Sequence, residues 1–400
     1  MRLTYISPDG GRSTQTVQNT RMMSESRRWG TLQGASKQQQ IMIFFNALKN
    51  GVCTVLYDNN HKALAERIAE MDICPLPEGS AKPSYISKEA ALLFFTSGST
   101  GFPVGALKSR GNIERELQAL ASLIEPYAIS RVVATVPYVH IYGILAGVLL
   151  PNYIGAELVV KEEFLPDELL HEASQPGTLI VTTPVFIRAL NRLKRPEKMP
   201  HTLFLSSTGP LAPEEADTFH SHYLSDLLQL FGSTETGGIA YKYNGSSLWS
   251  PLPDVEISQS AEYLAVTSPY VSSYLLKAQI EPQHLPFQTE DIITAQPDGS
   301  FELIGRSGRI AKIAGKRIST AQIEQIIEKL DNVDKAIVTI KNNEGLRDEK
   351  LEIVFQANAP VTHQEITKLL VSAFGTLNFS FSLKQLDEIS ISSMGKKLYI

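Results

Sequence analysis

Residues 38–57 show in miniature a pattern that the chain repeats. Ile41, Phe44, Phe45 and Leu48 place apolar side chains at helical spacing, Gly51 follows as a stop, and Val52–Tyr57 is an apolar run of strand length. His61–Ala69 predicts a second helix, and the order returns at Glu168–Ala173 before Thr178–Thr183 and at Glu214–His222 before Leu227–Phe231. Short strands that are apolar on both faces, each reached from a helix, require cover on both sides. The expected class is α/β, with buried and mostly parallel strands. The 400 residues, 43% of them hydrophobic and 20% charged, supply the core this needs. At roughly 150 residues per domain there is room for two or three domains.

Several classes of function are disfavoured by composition. A net charge of −5 does not favour a polyphosphate partner, so no nucleic-acid role is expected. Cys53 and Cys74 are too few for a disulfide framework or a four-cysteine zinc site. The first thirty residues mix Arg2, Arg12, Arg21, Arg27 and Arg28 with Ser, Thr and Gln and contain no apolar stretch, which argues for a cytoplasmic rather than an exported protein. Ile141–Val160 is the most membrane-like segment, yet Pro151, Asn152 and Glu157 interrupt it. A buried helix followed by a strand is expected there instead of a membrane span.

The texture changes at both ends. Residues 1–37 lack clear periodicity and read as loop, loosely attached or abbreviated structure. Toward the C-terminus, Ser319 and Gln322 fit a capping box before a stripe of Ile323, Ile326, Ile327 and Leu330. Two strand-like runs follow, Lys335–Ile340 and Lys350–Phe355, and then Thr362 and Glu365 open another helix. The expected division is a core over residues 1–307 and a small α+β domain over 308–400.

The densest chemistry lies in LLFFTSGSTGFPVG, residues 92–105. An apolar strand runs into a loop of Ser, Thr and Gly, where the missing Cβ atoms let backbone N–H groups approach an anion. No Gly-Lys-Ser/Thr follows at the P-loop spacing. Ser97, not glycine, stands two residues before Ser99, so the hydrolase elbow is not matched either.

TSGSTGFP at 96–103 resembles the phosphate loop of the adenylate-forming superfamily, which includes acyl-CoA synthetases, peptide-synthetase adenylation domains and luciferases. Four further segments are similar to that family in the same order: VPYVHIYG at 136–143, LSSTGPL at 205–211, FGSTETGGIA at 231–240, and the span from FQTEDI at 287 to MGKK at 394–397. The resemblance covers residue 38 to the C-terminus. More narrowly, VPYVHIYGILAGVLLP and FGSTETGGIA resemble compact AMP-ligases of aryl-polyene and related fatty-acid-like pathways.

The resemblance implies mostly parallel sheets layered with helices in a large N-terminal domain, and a small mobile C-terminal domain. It also implies a ligase that uses ATP and Mg²⁺ to convert an aryl or fatty carboxylate into an acyl-AMP. The acyl group then passes to the thiol of CoA or to the phosphopantetheine of an acyl carrier protein. Thr96, Ser97, Gly98, Ser99, Thr100 and Gly101 would hold the β- and γ-phosphates, and Glu235 would bind Mg²⁺. Thr234 would donate to the α-phosphate, Phe231 would lie against adenine, and Thr208, Gly209 and Gly232 would complete the nucleotide site. Asp291 would accept the ribose hydroxyls with Arg306 assisting, His140 would line the acyl pocket, and Lys396 would reach the scissile region, with Lys397 its rival.

Some residues depart from the family. Val104 stands where a lysine is usual, leaving Lys108 as the nearest cation; Glu290 replaces a glycine, and Gly308 replaces Asp or Lys at the hinge Ser307-Gly308-Arg309. Arg306, Arg309, Lys312, Lys316 and Arg317 have no acid between them, which suits an anionic thiol carrier or simply a solvated face. Val104, Gly308 and the short N-terminus favour an alternative, a non-catalytic nucleotide or acyl-AMP binder acting as sensor or scaffold. A third reading is a subunit active only beside a carrier protein.

Overall fold

TLIVT, TLFLS and RVVA, at Thr178–Thr182, Thr202–Ser206 and Arg131–Ala134, are buried at every position. Strands of this kind lie inside a parallel sheet with both faces covered. The computed structural model describes the chain except residues 19–21, 23–24, 60–61, 97–103, 195–197, 278, 314–315, 342–349, 375–379, 392–396 and 398–400. Two units can be distinguished, Met1–Glu256 with Val266–Phe287, and Ile257–Ala265 with Gln288–Ile400.

The first unit holds two sheets. In the larger, the strands Asp226–Ser233, Thr202–Ser206, Thr178–Thr182, Arg131–Ala134, Glu157–Lys161 and Arg2–Ile6 run parallel in that order. Antiparallel strands close it, Gly237–Tyr243 and Leu248–Pro251 on one side and Arg12–Thr16 on the other. Helices Pro166–Ala173, Pro184–Asn191 and Pro213–Tyr223 bring Leu169, Ile187 and Phe219 onto Val133, Ile180 and Phe204. The second sheet contains Arg28–Thr31, Val52–Leu56 and Ala90–Thr96 in parallel, with Val104–Ser109 antiparallel to the last. Helix Lys37–Lys49 precedes Val52–Leu56, and Ser36 caps it by accepting from the N–H of Gln39 at 3.2 Å.

The apolar segment 141–160 is the expected helix and strand, and no helix among the described residues is long and apolar enough to cross a membrane. Ile141–Ile144 and Leu150–Ile154 are α-helical, and Leu145–Leu149 between them is a π-helical turn. Pro151 has no N–H to donate back along the helix, which is where a widened turn is tolerated. Gly155, at φ +76°, ends the helix before the strand Glu157–Lys161.

The N-terminus differs from the loose segment expected from sequence. Arg2–Ile6 and Arg12–Thr16 form a hairpin at the edge of the large sheet. Leu3 and Ile6 are buried, and carboxylates distant in sequence hold the polar residues: Glu157 accepts from Arg2 at 2.7 Å and from Thr4 at 2.6 Å, and Glu172 pairs with Arg12 and Arg131.

In the second unit, Phe287–Ala295 pairs with Phe301–Arg306, and the hairpin Ile310–Ile313 with Lys316–Ser319 leads to helix Thr320–Ile327. Both expected capping boxes form: Ser319 with Gln322, and Thr362 with Glu365. Strands Val333–Lys341 and Lys350–Ala357 are antiparallel; Ser380–Leu386, not anticipated from sequence, adds to the second of them in parallel. Ile323, Ile327, Ile366 and Leu370 fill the space between sheet and helices.

Candidate active site

The C-terminal ends of parallel strands are where an open α/β sheet exposes backbone to a ligand. Here those ends are lined with hydroxyls. Thr135 donates to Thr182 at 3.1 Å, and Ser207 donates to the Leu230 carbonyl at 2.9 Å, tying neighbouring strand ends together. The hydroxyls of Ser206 and Thr208 are buried and have no hydrogen-bond partner among the described residues. Thr208 also has φ +82°, a left-handed backbone that a β-branched residue rarely adopts, and such strain concentrates at ligand sites. A Cβ built on Gly209 would meet nothing nearer than Pro184 at 3.8 Å, so packing does not demand glycine there.

Thr208 and Gly209 follow the strand that runs beside Asp226–Ser233, which carries Phe231 and Gly232. The chain then turns through Thr234, Glu235 and Thr236 into Gly237–Tyr243. Ser233 and Thr236 clasp this turn: each backbone N–H donates to the other's hydroxyl, at 3.0 and 3.1 Å. Thr234 and Glu235 are left partly exposed at its tip. The two strands approach so closely that a Cβ on Gly232 would lie 2.2 Å from the Gly237 carbonyl oxygen. Phe231 is half-buried with its ring 5.6 Å from that of Trp249, and the Lys242 ammonium lies 4.8 Å from the Trp249 ring centre. Trp249 and Lys242 were not singled out from sequence, because their link to Phe231 runs across three strands.

Lys108, the nearest cation to the glycine-rich loop in sequence, is turned inward. It is 1% exposed and donates to the carbonyl oxygens of Tyr270 at 2.6 Å and Glu235 at 3.1 Å. Burial pushes its pKa down to about 8, opposed by the charges of Glu116 and Glu235. Glu116 is also buried, and its carboxyl pKa is raised by burial, against the pull of Lys108 and of the Gly238 N–H that it accepts at 2.7 Å. Neither Glu116 nor Tyr270 carries a sequence signal for this contact.

His140 is the residue before helix Ile141–Ile144, and its side chain does not cap that helix. Tyr142 anchors the same segment by donating to the Thr182 and Leu205 carbonyls at 3.0 and 2.7 Å. A Cβ on Gly143 would lie 1.9 Å from the Pro137 carbonyl oxygen, so only glycine fits there. Thr96 ends the strand Ala90–Thr96 opposite Val104. Ser97, Gly98, Ser99, Thr100 and Gly101 lie outside the described residues, as does Lys396.

Within the second unit, Asp291 and Arg306 are cross-strand partners, with Arg306 Nε 3.6 Å from Asp291 Oδ1. Arg306 is also 3.9 Å from Glu290, the residue that replaces the family's glycine. The basic run is therefore partly neutralised by acids from outside it, since Arg309 also pairs with Glu324 at 2.6 Å. Glu324 holds Lys397 as well, at 3.0 Å, while Lys397 donates to Glu328 at 2.7 Å and to the Ala336 carbonyl at 2.6 Å. Gly308 lies in the short helix Ser307–Arg309, and a Cβ there would meet nothing within 4 Å.

No group of three or more His, Cys, Asp or Glu side chains among the described residues could hold a metal ion unaided. The single, partly exposed carboxylate of Glu235 fits a Mg²⁺ that arrives on phosphate oxygens, a cation that commonly takes one or two carboxylates from protein.

The family described as AMP-binding enzyme matches residues 24–264. A 4-coumarate–CoA ligase from Cereibacter sphaeroides is 27% identical over 285 residues, covering 68% of this chain; the chain spans only 64% of that ligase's length. A medium-chain fatty-acid–CoA ligase from Escherichia coli is 23% identical, over 66% of this chain and 52% of its own length. The crystal structure of ATP-bound MatB from Rhodopseudomonas palustris superposes with a TM-score of 0.74 at 15% identity, covering 98% of this chain and 93% of that one. That likeness shows the fold: mixed α/β, with a large sheet-rich N-terminal part and a small C-terminal one.

Proposed function

The chain belongs to the AMP-binding enzyme family, within the adenylate-forming superfamily that its sequence resembles, and on that premise we propose that it is an ATP-dependent acid–thiol ligase. A carboxylate oxygen attacks the α-phosphorus of ATP and the bond to pyrophosphate breaks, giving acyl-AMP. A thiolate then attacks the acyl carbonyl, forming a thioester and releasing AMP. The acid is an aryl or fatty carboxylate, the thiol belongs to CoA or to the phosphopantetheine of an acyl carrier protein, and the setting is the cytoplasm.

The first step must bring two anions together. When bound, Mg²⁺ supplies positive charge at the phosphates, and Glu235 is the residue to hold it. Thr234 donates to the α-phosphate, Phe231 packs on adenine against Trp249, and Asp291 with Arg306 takes the ribose. Residues 96–101 cradle the β- and γ-phosphates, and His140 lines the acyl pocket. Lys396, on the small domain of residues 308–400, neutralises charge as it develops between carboxylate and phosphate. Donors of that kind are worth about 3–4 kcal/mol of barrier.

The observation that carries this reading is the tip of the 234–236 turn. It presents a hydroxyl and a carboxylate at the end of a parallel sheet, where the strained Thr208 leaves its hydroxyl without a partner among the described residues. The test is ATP–pyrophosphate exchange over a panel of aryl and medium-chain fatty acids. Exchange is expected with at least one acid, and Lys396→Ala should lower it about 10²- to 10³-fold with ATP binding retained. No exchange with any acid, from folded protein that binds ATP, overturns the reading. Val104 and the inward-turned Lys108 favour one alternative, a nucleotide binder without turnover, which tight ATP binding in the absence of exchange would identify.

A further inference from the structure

The turn that presents Glu235 stands on two buried charged side chains, Lys108 and Glu116. Lys108 lies on the strand Val104–Ser109, which leaves the glycine-rich loop, and Glu116 lies on the next element, helix Arg110–Ile124. A segment of chain only nine residues long thus delivers both charges to the underside of the turn. The two side chains bond successive peptide groups of the turn and of the strand it enters. The Lys108 ammonium donates to the carbonyl of Glu235 itself, and Glu116 accepts the N–H of Gly238 at 2.7 Å.

The fit is close. A Cβ on Gly237, which has φ +72°, would sit 2.7 Å from Glu116 Oε2, so the glycines of this turn admit the carboxylate. Two ions removed from water cost several kcal/mol each before their attraction is counted, and apolar side chains of similar volume often pack as stably. What apolar side chains cannot do is bond the peptide carbonyl of Glu235 and, three residues on, the peptide N–H of Gly238.

We propose that Lys108 and Glu116 are positioning residues that hold the peptide frame of Glu235, so that its carboxylate meets the metal–nucleotide complex in a single orientation. This rests on the reading of Glu235 as the Mg²⁺ ligand. It gives Lys108 a place in the site without contact to phosphate, and it ties the exit strand of the glycine-rich loop to the metal-binding turn.

The test uses the full chain and Mn²⁺ as a spectroscopic probe. The affinity for Mn²⁺–ATP is measured against that for metal-free ATP, by paramagnetic resonance and calorimetry, so that general weakening of nucleotide binding cancels. Lys108→Met should lower the metal-dependent preference about tenfold or more, in the range known for residues that orient a metal ligand. Lys108→Met with Glu116→Leu removes both charges together. It should recover thermal stability relative to Lys108→Met alone yet keep the lost preference. If Lys108→Met does not fold, the double variant carries the test. A double variant that folds and keeps the wild-type preference overturns the proposal. Glu235→Ala separates the two readings: if it leaves the preference unchanged, the assignment of Glu235 itself fails.

Discussion

Lys108 in the first unit and Glu324 in the second are both nearly buried charges that bond backbone, and they differ in where their charge partners lie. Lys108 spends its hydrogen bonds on two backbone carbonyls, with Glu116 as a charge partner enclosed beside it. Glu324 accepts from the Val338 N–H at 3.0 Å, but its charge partners reach water, Arg309 and Lys397 being 51% and 25% exposed. When a partner is lost in the first cluster, an ion is stranded in the interior. In the second, the released cations can rehydrate. Similar burial therefore predicts different consequences, and the cluster with the enclosed charge partner is the one suited to hold a turn in place.

The largest effect should come from Lys108→Met, which leaves Glu116 enclosed without a cation. A loss of about 3–5 kcal/mol is expected in chemical denaturation. A loss under 1 kcal/mol would mean that water or a neutral carboxyl relieves the site and that the contrast with Glu324 is wrong.

The same variant sharpens the comparison through pH. Lys108, faced by Glu116 and Glu235, has a pKa of about 8 when folded against its ordinary 10.5. Between those values the unfolded chain binds more protons, so the stability of wild type relative to Lys108→Met should rise with pH across that window and be flat below it.

Glu324→Gln should cost less, about 1–3 kcal/mol, the scale of hydrogen bonds to charged groups. A cost equal to that of Lys108→Met would erase the distinction. Arg67→Ala sets the floor. Arg67 and Glu70 pair at 3.1 Å with side chains 35% and 67% exposed, and such pairs contribute about 0–1 kcal/mol.

Legibility followed the range of the interactions. The inner strand Thr178–Thr182 could be read from sequence because every residue is apolar or small, and burial on both faces requires that. The hairpin Arg2–Thr16 could not. Its arginines and threonines look like surface until Glu157 and Glu172 arrive from more than 150 residues away. The strand Ser380–Leu386 was missed for a related reason, since its residues alternate weakly and its pairing partner is the distant Lys350–Ala357. In the candidate site, Phe231, Gly232, Thr234 and Glu235 were legible as one motif because they are neighbours on one strand end and the turn that follows it. Trp249, Glu116 and Tyr270 reach that turn only through the fold.

The family, the α/β class and the order of the site motifs were written in the chain itself, because periodicity and short motifs are properties of neighbouring residues. Where Lys108 points was decided by tertiary structure: the strand puts Val104, Ala106 and Lys108 on one face, but only the helix bearing Glu116 and the turn bearing Glu235 make that face an interior. The same holds for the basic run from Arg306 to Arg317, free of acids in sequence, whose Arg309 is neutralised by Glu324 once the helix folds back on it. Charge along a chain is local, but its compensation is not, and compensation settles whether a cation faces a ligand or supports the residue that does.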